Sequence, residues 1–314
     1  MRKEESIQTP KSEQNYRVLS HFKKDESGPV VVALAGMHGN ENYGVSAVRK
    51  VDELLNESDG LSSGEFIGLA ANIPALKERV RFINEDMNRI WFPSIIDKIR
   101  RTPVENMLTN ERLQIKKLLQ ILDPYILQSD REVIFVDLHS FSAPGGLFLI
   151  TPRGKRSEKL VGLSTPMIFG IDDALQGAAL RYLHDQGHTA MAFEGGMHHE
   201  SRTLTNMVAF LLLINARFGL IQPQLLKDFD VYQKHIRVEA SNLPQKVELV
   251  YKHIIEPGDR FIMRPGFENF QSVREGDWLA DDQTGRIFSP CDGYMLMPLY
   301  QEQGDDGFFI VREV

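Results

Sequence analysis

The strongest constraint on this 314-residue chain is a set of short apolar runs, each ending in residues that can do chemistry. Pro29–Ala35 and Glu132–Asp137 are β-branched and apolar between turn-prone residues, and Phe66–Ala71 and Thr189–Phe193 are similar. Such runs read as strands buried on both faces of a sheet. Helical patterns lie between them at Tyr43–Leu55, Glu111–Leu122, Ala174–Gln186 and Ser201–Phe218. Strands alternating with helices predict an α/β architecture, a mixed sheet flanked by helices. From about Phe229 the pattern changes to short β-type runs separated by turn signals such as Glu256-Pro-Gly-Asp, Arg264-Pro-Gly and Asp282-Gln-Thr-Gly. This predicts a catalytic domain over 1–228 and a smaller C-terminal all-β domain over 229–314.

Composition removes several classes of function. The net charge is −7, and no basic stripe is visible, so a nucleic-acid partner is not expected. A single cysteine, Cys291, cannot form an intramolecular disulfide or a thiolate cluster, so any metal must be held by His, Asp and Glu. Met1 to Tyr16 is polar and charged, with no apolar run resembling a secretory signal. Met207–Ile214 falls short of the ~20 apolar residues that a membrane span needs. A cytoplasmic protein with no membrane partner is expected, and a homo-oligomer stays open.

Three of the strand ends carry the chemistry. The first runs into Gly36-Met37-His38-Gly39-Asn40-Glu41, where a His and a Glu three apart can turn an imidazole nitrogen and a carboxylate oxygen towards one divalent metal. The alternative is a helix-start Glu with an incidental His. The second ends in Asp137-Leu138-His139, and His139 would complete a His/Glu/His set with one position open, as in catalytic zinc sites; otherwise it is a core histidine. The third ends in Glu194-Gly195-Gly196, offering a general base for metal-activated water, or merely a turn cap. Between the first two lies Arg81-Phe-Ile-Asn-Glu-Asp-Met-Asn88-Arg89, whose arginines can grip carboxylates, or form a solvated turn laced by ion pairs.

Taken in order, His38-Gly39-Asn40-Glu41, the Asn-x-Pro-Ala-x-Lys stretch at Asn72 to Lys77, Arg81, Asp86-Met87-Asn88-Arg89, Asp137-Leu138-His139 and Glu194-Gly195 resemble the succinylglutamate desuccinylase/aspartoacylase family of the zinc carboxypeptidase superfamily. The resemblance implies a zinc carboxypeptidase-like fold and one Zn2+ per chain on His38, Glu41 and His139. It implies Glu194 as the glutamate that activates the zinc-bound water, and Arg81 as the arginine that polarises the scissile carbonyl. Asn88 and Arg89 would hold the carboxylate of a small-molecule substrate, and the C-terminal β domain would narrow access. The implied activity is a zinc-dependent amidohydrolase acting on an N-acyl amino acid or similar small carboxylate. The alternatives are a carboxypeptidase acting on short peptides, or a non-catalytic metal-dependent binding module. One departure stands out. Aspartoacylases place a Tyr and an Arg ahead of the base glutamate for a second carboxylate, whereas here only Arg181 and Tyr182 occur, out of register.

Overall fold

A computed structural model describes residues 16–58 and 60–314, so the polar stretch from Met1 lies, apart from Tyr16, outside the described residues. The first part of the sheet contains β1 (Val18–Lys23), β2 (Val30–Ala35), β3 (Glu65–Ala70), β4 (Val133–Phe141), β5 (Phe148–Ile150), β6 (Met167–Phe169) and β7 (Thr189–Met197). Its helices are α1 (Tyr43–Asn56), α2 (Ile73–Glu78), α3 (Pro93–Arg101), α4 (Asn110–Leu127), α5 (Lys155–Glu158), α6 (Ile171–Ala174), α7 (Ala179–Asp185) and α8 (Ser201–Arg217). The mixed α/β fold is the one the sequence predicts.

Every residue of β2 is buried, because both faces of the sheet are covered. Successive side chains point to opposite faces, so Val30, Val32 and Leu34 join one core while Val31, Ala33 and Ala35 join the other. The first core contains Ile96 and Ile99 of α3, Ile115, Leu118 and Leu122 of α4, and Leu180 and Leu183 of α7. The second contains Ala47, Val48 and Val51 of α1 and the run Met207–Ile214 of α8. That run is therefore a buried helix face. Among the described residues no helix is long and apolar enough to cross a membrane.

The strands β2, β3, β4 and β7 are mutually parallel where they pair, so the C-terminal ends of β2, β4 and β7 lie along one edge. β1 closes one side antiparallel to β3, and β5 turns the other side by pairing antiparallel with β7.

Two elements differ from the sequence reading. Phe229, expected to open the β region, instead begins helix α9 (Phe229–Glu239), which packs on α8 through the buried Phe229 and Ile236. The β strands start at β8 (Lys246–Ile254), followed by β9 (Ile262–Met263), β10 (Ser272–Val273), β11 (Trp278–Asp282), β12 (Gly285–Phe288), β13 (Gly293–Leu296) and β14 (Asp306–Glu313). β8 pairs with β6, so the sheet continues as one 11-stranded surface in the order β1-β3-β2-β4-β7-β5-β6-β8-β14-β13-β10. A three-stranded sheet, β12-β11-β9, packs beside it around Met263, Leu279 and Phe308.

The second difference is that the helix expected over Ala174–Gln186 is broken into α6 and α7. Gly177 sits between them at φ 74°, and a Cβ there would lie 2.3 Å from the carbonyl oxygen of Arg89. Only glycine tolerates both the left-handed backbone and that approach. Its own carbonyl accepts the N–H of Trp91 at 2.9 Å, tying the break to the loop after Arg89.

Edge strand β1 is fastened through Glu65 at the start of β3. This buried carboxylate receives Arg131 Nη1 at 2.8 Å, the Tyr125 hydroxyl at 2.6 Å and His21 Nε2 at 2.9 Å. Burial alone would raise its pKa, but the bonds from Tyr125, His21 and Arg131 outweigh it and lower the pKa below the usual 4.5. Glu65 therefore contributes stability that is complete above the unfolded carboxylate pKa and is lost as pH falls through the lower folded value. We expect Glu65→Gln to cost about 1–3 kcal/mol near neutral pH. The gap in denaturation midpoint between wild type and variant should close in acid, and a gap independent of pH would contradict the assignment.

Candidate metal centre and active-site cleft

The parallel strands deliver their ligands to one point. His38 and Glu41 lie in the loop between β2 and α1, and His139 lies near the end of β4, beside Glu194 of β7 in the strand register. Glu41 is held between the two histidines, with Oε1 2.8 Å from His38 Nδ1 and Oε2 3.0 Å from His139 Nδ1. Ligand atoms of the three residues all lie within 4.8 Å of one another, and all three side chains are buried. Burial would raise the Glu41 pKa, yet the neighbouring histidines hold it well below the carboxylate range. Two imidazole nitrogens and an ionised carboxylate converging in a dry pocket form a donor set suited to a divalent cation.

The far nitrogens of the two histidines are also held. His38 Nε2 lies 3.1 Å from Asp86 Oδ1, and His139 Nε2 lies 2.8 Å from Asp137 Oδ2. Carboxylates in these positions turn each ring so that Nδ1 faces the shared point, and they increase its basicity as a ligand. Asp86 does more than orient His38. It accepts from Arg81 Nε at 3.1 Å, pairs with Nη2 at 3.0 Å, and accepts from the Asn88 N–H at 2.8 Å. Arg81 Nη1 thereby comes to 3.8 Å from Glu41 Oε1.

Glu194 is buried on the same face of the sheet as His139, and its Oε2 has no hydrogen-bond partner in the protein. Desolvation pushes its pKa up to about 7. A carboxylate so placed can both take and return a proton near neutral pH.

Asn88 and Arg89 line the same cleft as the three ligands, Arg81 and Glu194. All seven sequence-predicted site residues therefore come together. Asn88 is oriented by the N–H of Ala179, which donates to Oδ1 at 2.9 Å, so the break at Gly177 also serves the site. Arg89 donates from Nη1 to the Asn88 carbonyl at 3.0 Å and from Nη2 to Asp306 Oδ2 at 2.5 Å. Asp306 also pairs with Lys252 Nζ at 2.6 Å. Two cations share one carboxylate there, and Asp86 and Asp305 also act on Arg89.

The remaining wall comes from the C-terminal region. Met297, Leu299, Gln301 and Gly304 line the cleft, and Gln301 Oε1 accepts from Asn40 Nδ2 at 3.1 Å, next to the ligand loop. His198 Nε2 lies 3.3 Å from the same oxygen, while its Nδ1 meets the Ser140 hydroxyl at 2.7 Å. Two further histidines lie elsewhere. His235 bonds Asn206 Oδ1 at 2.6 Å, and His253 stacks on Phe308 at 5.0 Å.

Comparison with known proteins bears on the family and the fold. Residues 27–161 match the family model of the succinylglutamate desuccinylase/aspartoacylase catalytic domain, the family that the motif order resembles. A probable aspartoacylase of Acaryochloris marina (strain MBIC 11017) is 34% identical over 122 residues, spanning 38% of this chain and 37% of that protein. Two crystal structures share the fold. The succinylglutamate desuccinylase/aspartoacylase of Rhodobacter sphaeroides has a TM-score of 0.65 at 18% identity, covering 94% of this chain and 87% of that one. The product-bound ectoine utilization protein of Ruegeria pomeroyi has a TM-score of 0.63 at 16% identity, covering 93% and 87%.

Sequence reasoning missed Glu111. Although it begins α4, it is fully buried, and its carboxylate accepts the N–H groups of Ile83 at 2.8 Å, Asn84 at 3.1 Å and Glu85 at 3.4 Å, and the Asn72 amide at 3.3 Å. It thus pins the loop that carries Arg81, Asp86, Asn88 and Arg89. A signal was present, since Glu111 falls on the apolar stripe of α4 with Ile115, Leu118 and Leu122. Glu111→Gln places N–H against N–H in this nest. Amide exchange at Ile83, Asn84 and Glu85 should accelerate by about tenfold or more, as expected for a lost buried charge-assisted bond. Unchanged exchange would exclude the pinning role.

Proposed function

We propose that this chain is a zinc-dependent amidohydrolase that cleaves the amide of an N-acyl amino acid or a similar small carboxylate, with one zinc per chain on His38, Glu41 and His139. The observation that carries this reading is the buried convergence of those three side chains beside an unpartnered glutamate and an arginine. The family model over residues 27–161 and the partial likeness to a probable aspartoacylase support it. Zinc, when bound, supplies a Lewis acid that polarises a carbonyl and acidifies water.

The protein's own groups account for the rest. Glu194 takes the proton of the attacking water and returns it to the leaving amine, since its buried carboxylate has an oxygen that no protein group occupies. Arg81, aimed by Asp86, presents its guanidinium to the oxygen on which negative charge develops. Asn88 and Arg89 receive the substrate carboxylate, the amide and the guanidinium lining the cleft together. Leu299 and Gln301 narrow the mouth, which favours a small molecule over an extended peptide.

Two variants test this. His139→Ala removes one of three ligands, so zinc measured by elemental analysis should fall from one equivalent to a small fraction while circular dichroism is unchanged. Full occupancy in that variant would refute the ligand assignment. Glu194→Gln keeps shape and metal but cannot accept a proton, so kcat on a responsive N-acyl amino acid should drop by about 10²-fold or more with zinc retained. Activity close to wild type would remove Glu194 from its role.

A further inference from the structure

Resting on the deacylase reading, we infer that the substrate presents a single carboxylate to the cleft and carries an apolar group, aliphatic or aromatic, in place of a second acid. The cations lining the cleft, Arg81 and Arg89, both belong to the loop between α2 and α3. The two residues that might have gripped a second carboxylate turn away. Arg181 is spent on Asp185, at 3.0 Å, and on Asp172 and Asp173. Tyr182 is buried against Trp91, ring centroids 5.8 Å apart.

What the same segment gives the cleft is Leu175, Ala178 and Leu180. These sit with Ile150 and Ala192, which are register partners on β5 and β7. Ala192 lies two residues before Glu194 and therefore on the same face, so the apolar surface begins beside the proposed base. Asp172 also lines this part, and its buried Oδ1 has no hydrogen-bond partner. A second substrate carboxylate there would be desolvated against aliphatic carbon and would face an existing carboxylate, while the cations nearby, Arg181 and Lys252, are already paired with Asp172 and Asp306. An uncharged hydrocarbon group would bury surface without such a cost.

The test is a substrate series on the full-length, zinc-loaded enzyme. N-acetylleucine, N-hexanoylglycine, N-acetylaspartate and N-succinylglutamate place an apolar group or a second acid on either side of the amide. The better of the two apolar substrates should exceed both dicarboxylates in kcat/KM by about tenfold or more, a span that hydrophobic pockets reach with one or two carbons. Which one leads tells whether the pocket takes the acyl chain or the amino-acid side chain. Preference for a dicarboxylate overturns the inference and leaves the deacylase reading standing. Calorimetric titration with hexanoate and succinate gives an answer independent of turnover. If no amide is cleaved, the deacylase reading fails, while tighter binding of hexanoate still supports the apolar pocket and tighter binding of succinate overturns it. Leu175→Arg brings a cation to this half-buried wall and should narrow the ratio in favour of N-acetylaspartate or N-succinylglutamate.

Discussion

Glu41 sits between two imidazoles, and much of the molecule can be read as the means of keeping it there. A buried carboxylate stays ionised only beside compensating groups, and here these are His38 and His139, with Arg81 further off. Bringing them together needs β2 and β4 to run parallel and in register, so that a loop following one strand and a residue inside the other meet at one height. Parallel pairing in turn requires crossover helices on both faces, which is why α1 and α8 cover one side and α3, α4 and α7 the other. Outside the ligands stand Asp86 and Asp137, which set ring orientation, and behind Asp86 stands Glu111, which shapes the loop. Each layer fixes the one inside it.

The first two thirds of the fold were legible because the central strands are hydrophobic without interruption, which happens only when both faces are covered. The ligands were legible for a related reason: a His or Glu at the end of such a run has little to do in a core. Less could be read where structure depends on contacts distant in sequence. Nothing local marks Asp306 or Leu299 as neighbours of Arg89, since the chain must fold back across more than half its length to bring them there. The helix at Phe229–Glu239 was read as part of a β region because it is short and the turn signals after it dominate the pattern. The break at Gly177 was overlooked because a glycine inside a helical pattern is tolerated; its need for a left-handed turn arises from the Arg89 carbonyl 2.3 Å from where a Cβ would stand.

Arg89 has partners that its motif does not name. Its charge is partly met within the protein by Asp306, which Lys252 shares. That arrangement holds the guanidinium in one orientation before any ligand arrives, reducing the entropy lost on binding. It also links the loop before α3 to β8 and β14, so the far end of the chain takes part in setting the site.

The pairing of β6 with β8 makes the two ends of the protein one continuous sheet. A cut in the chain after α9 would strip β6 of its neighbour and leave a raw edge of unpaired backbone groups in the middle of what had been a closed surface. Exposed edges of that kind recruit strands from other molecules, so a fragment carrying His38, Glu41, His139 and Glu194 would be prone to aggregate. The same continuity anchors on β13 and β14 the loop that carries Met297, Leu299 and Gln301, so that insertions there offer evolution a route to new cleft shapes without moving His38, Glu41 and His139 beneath.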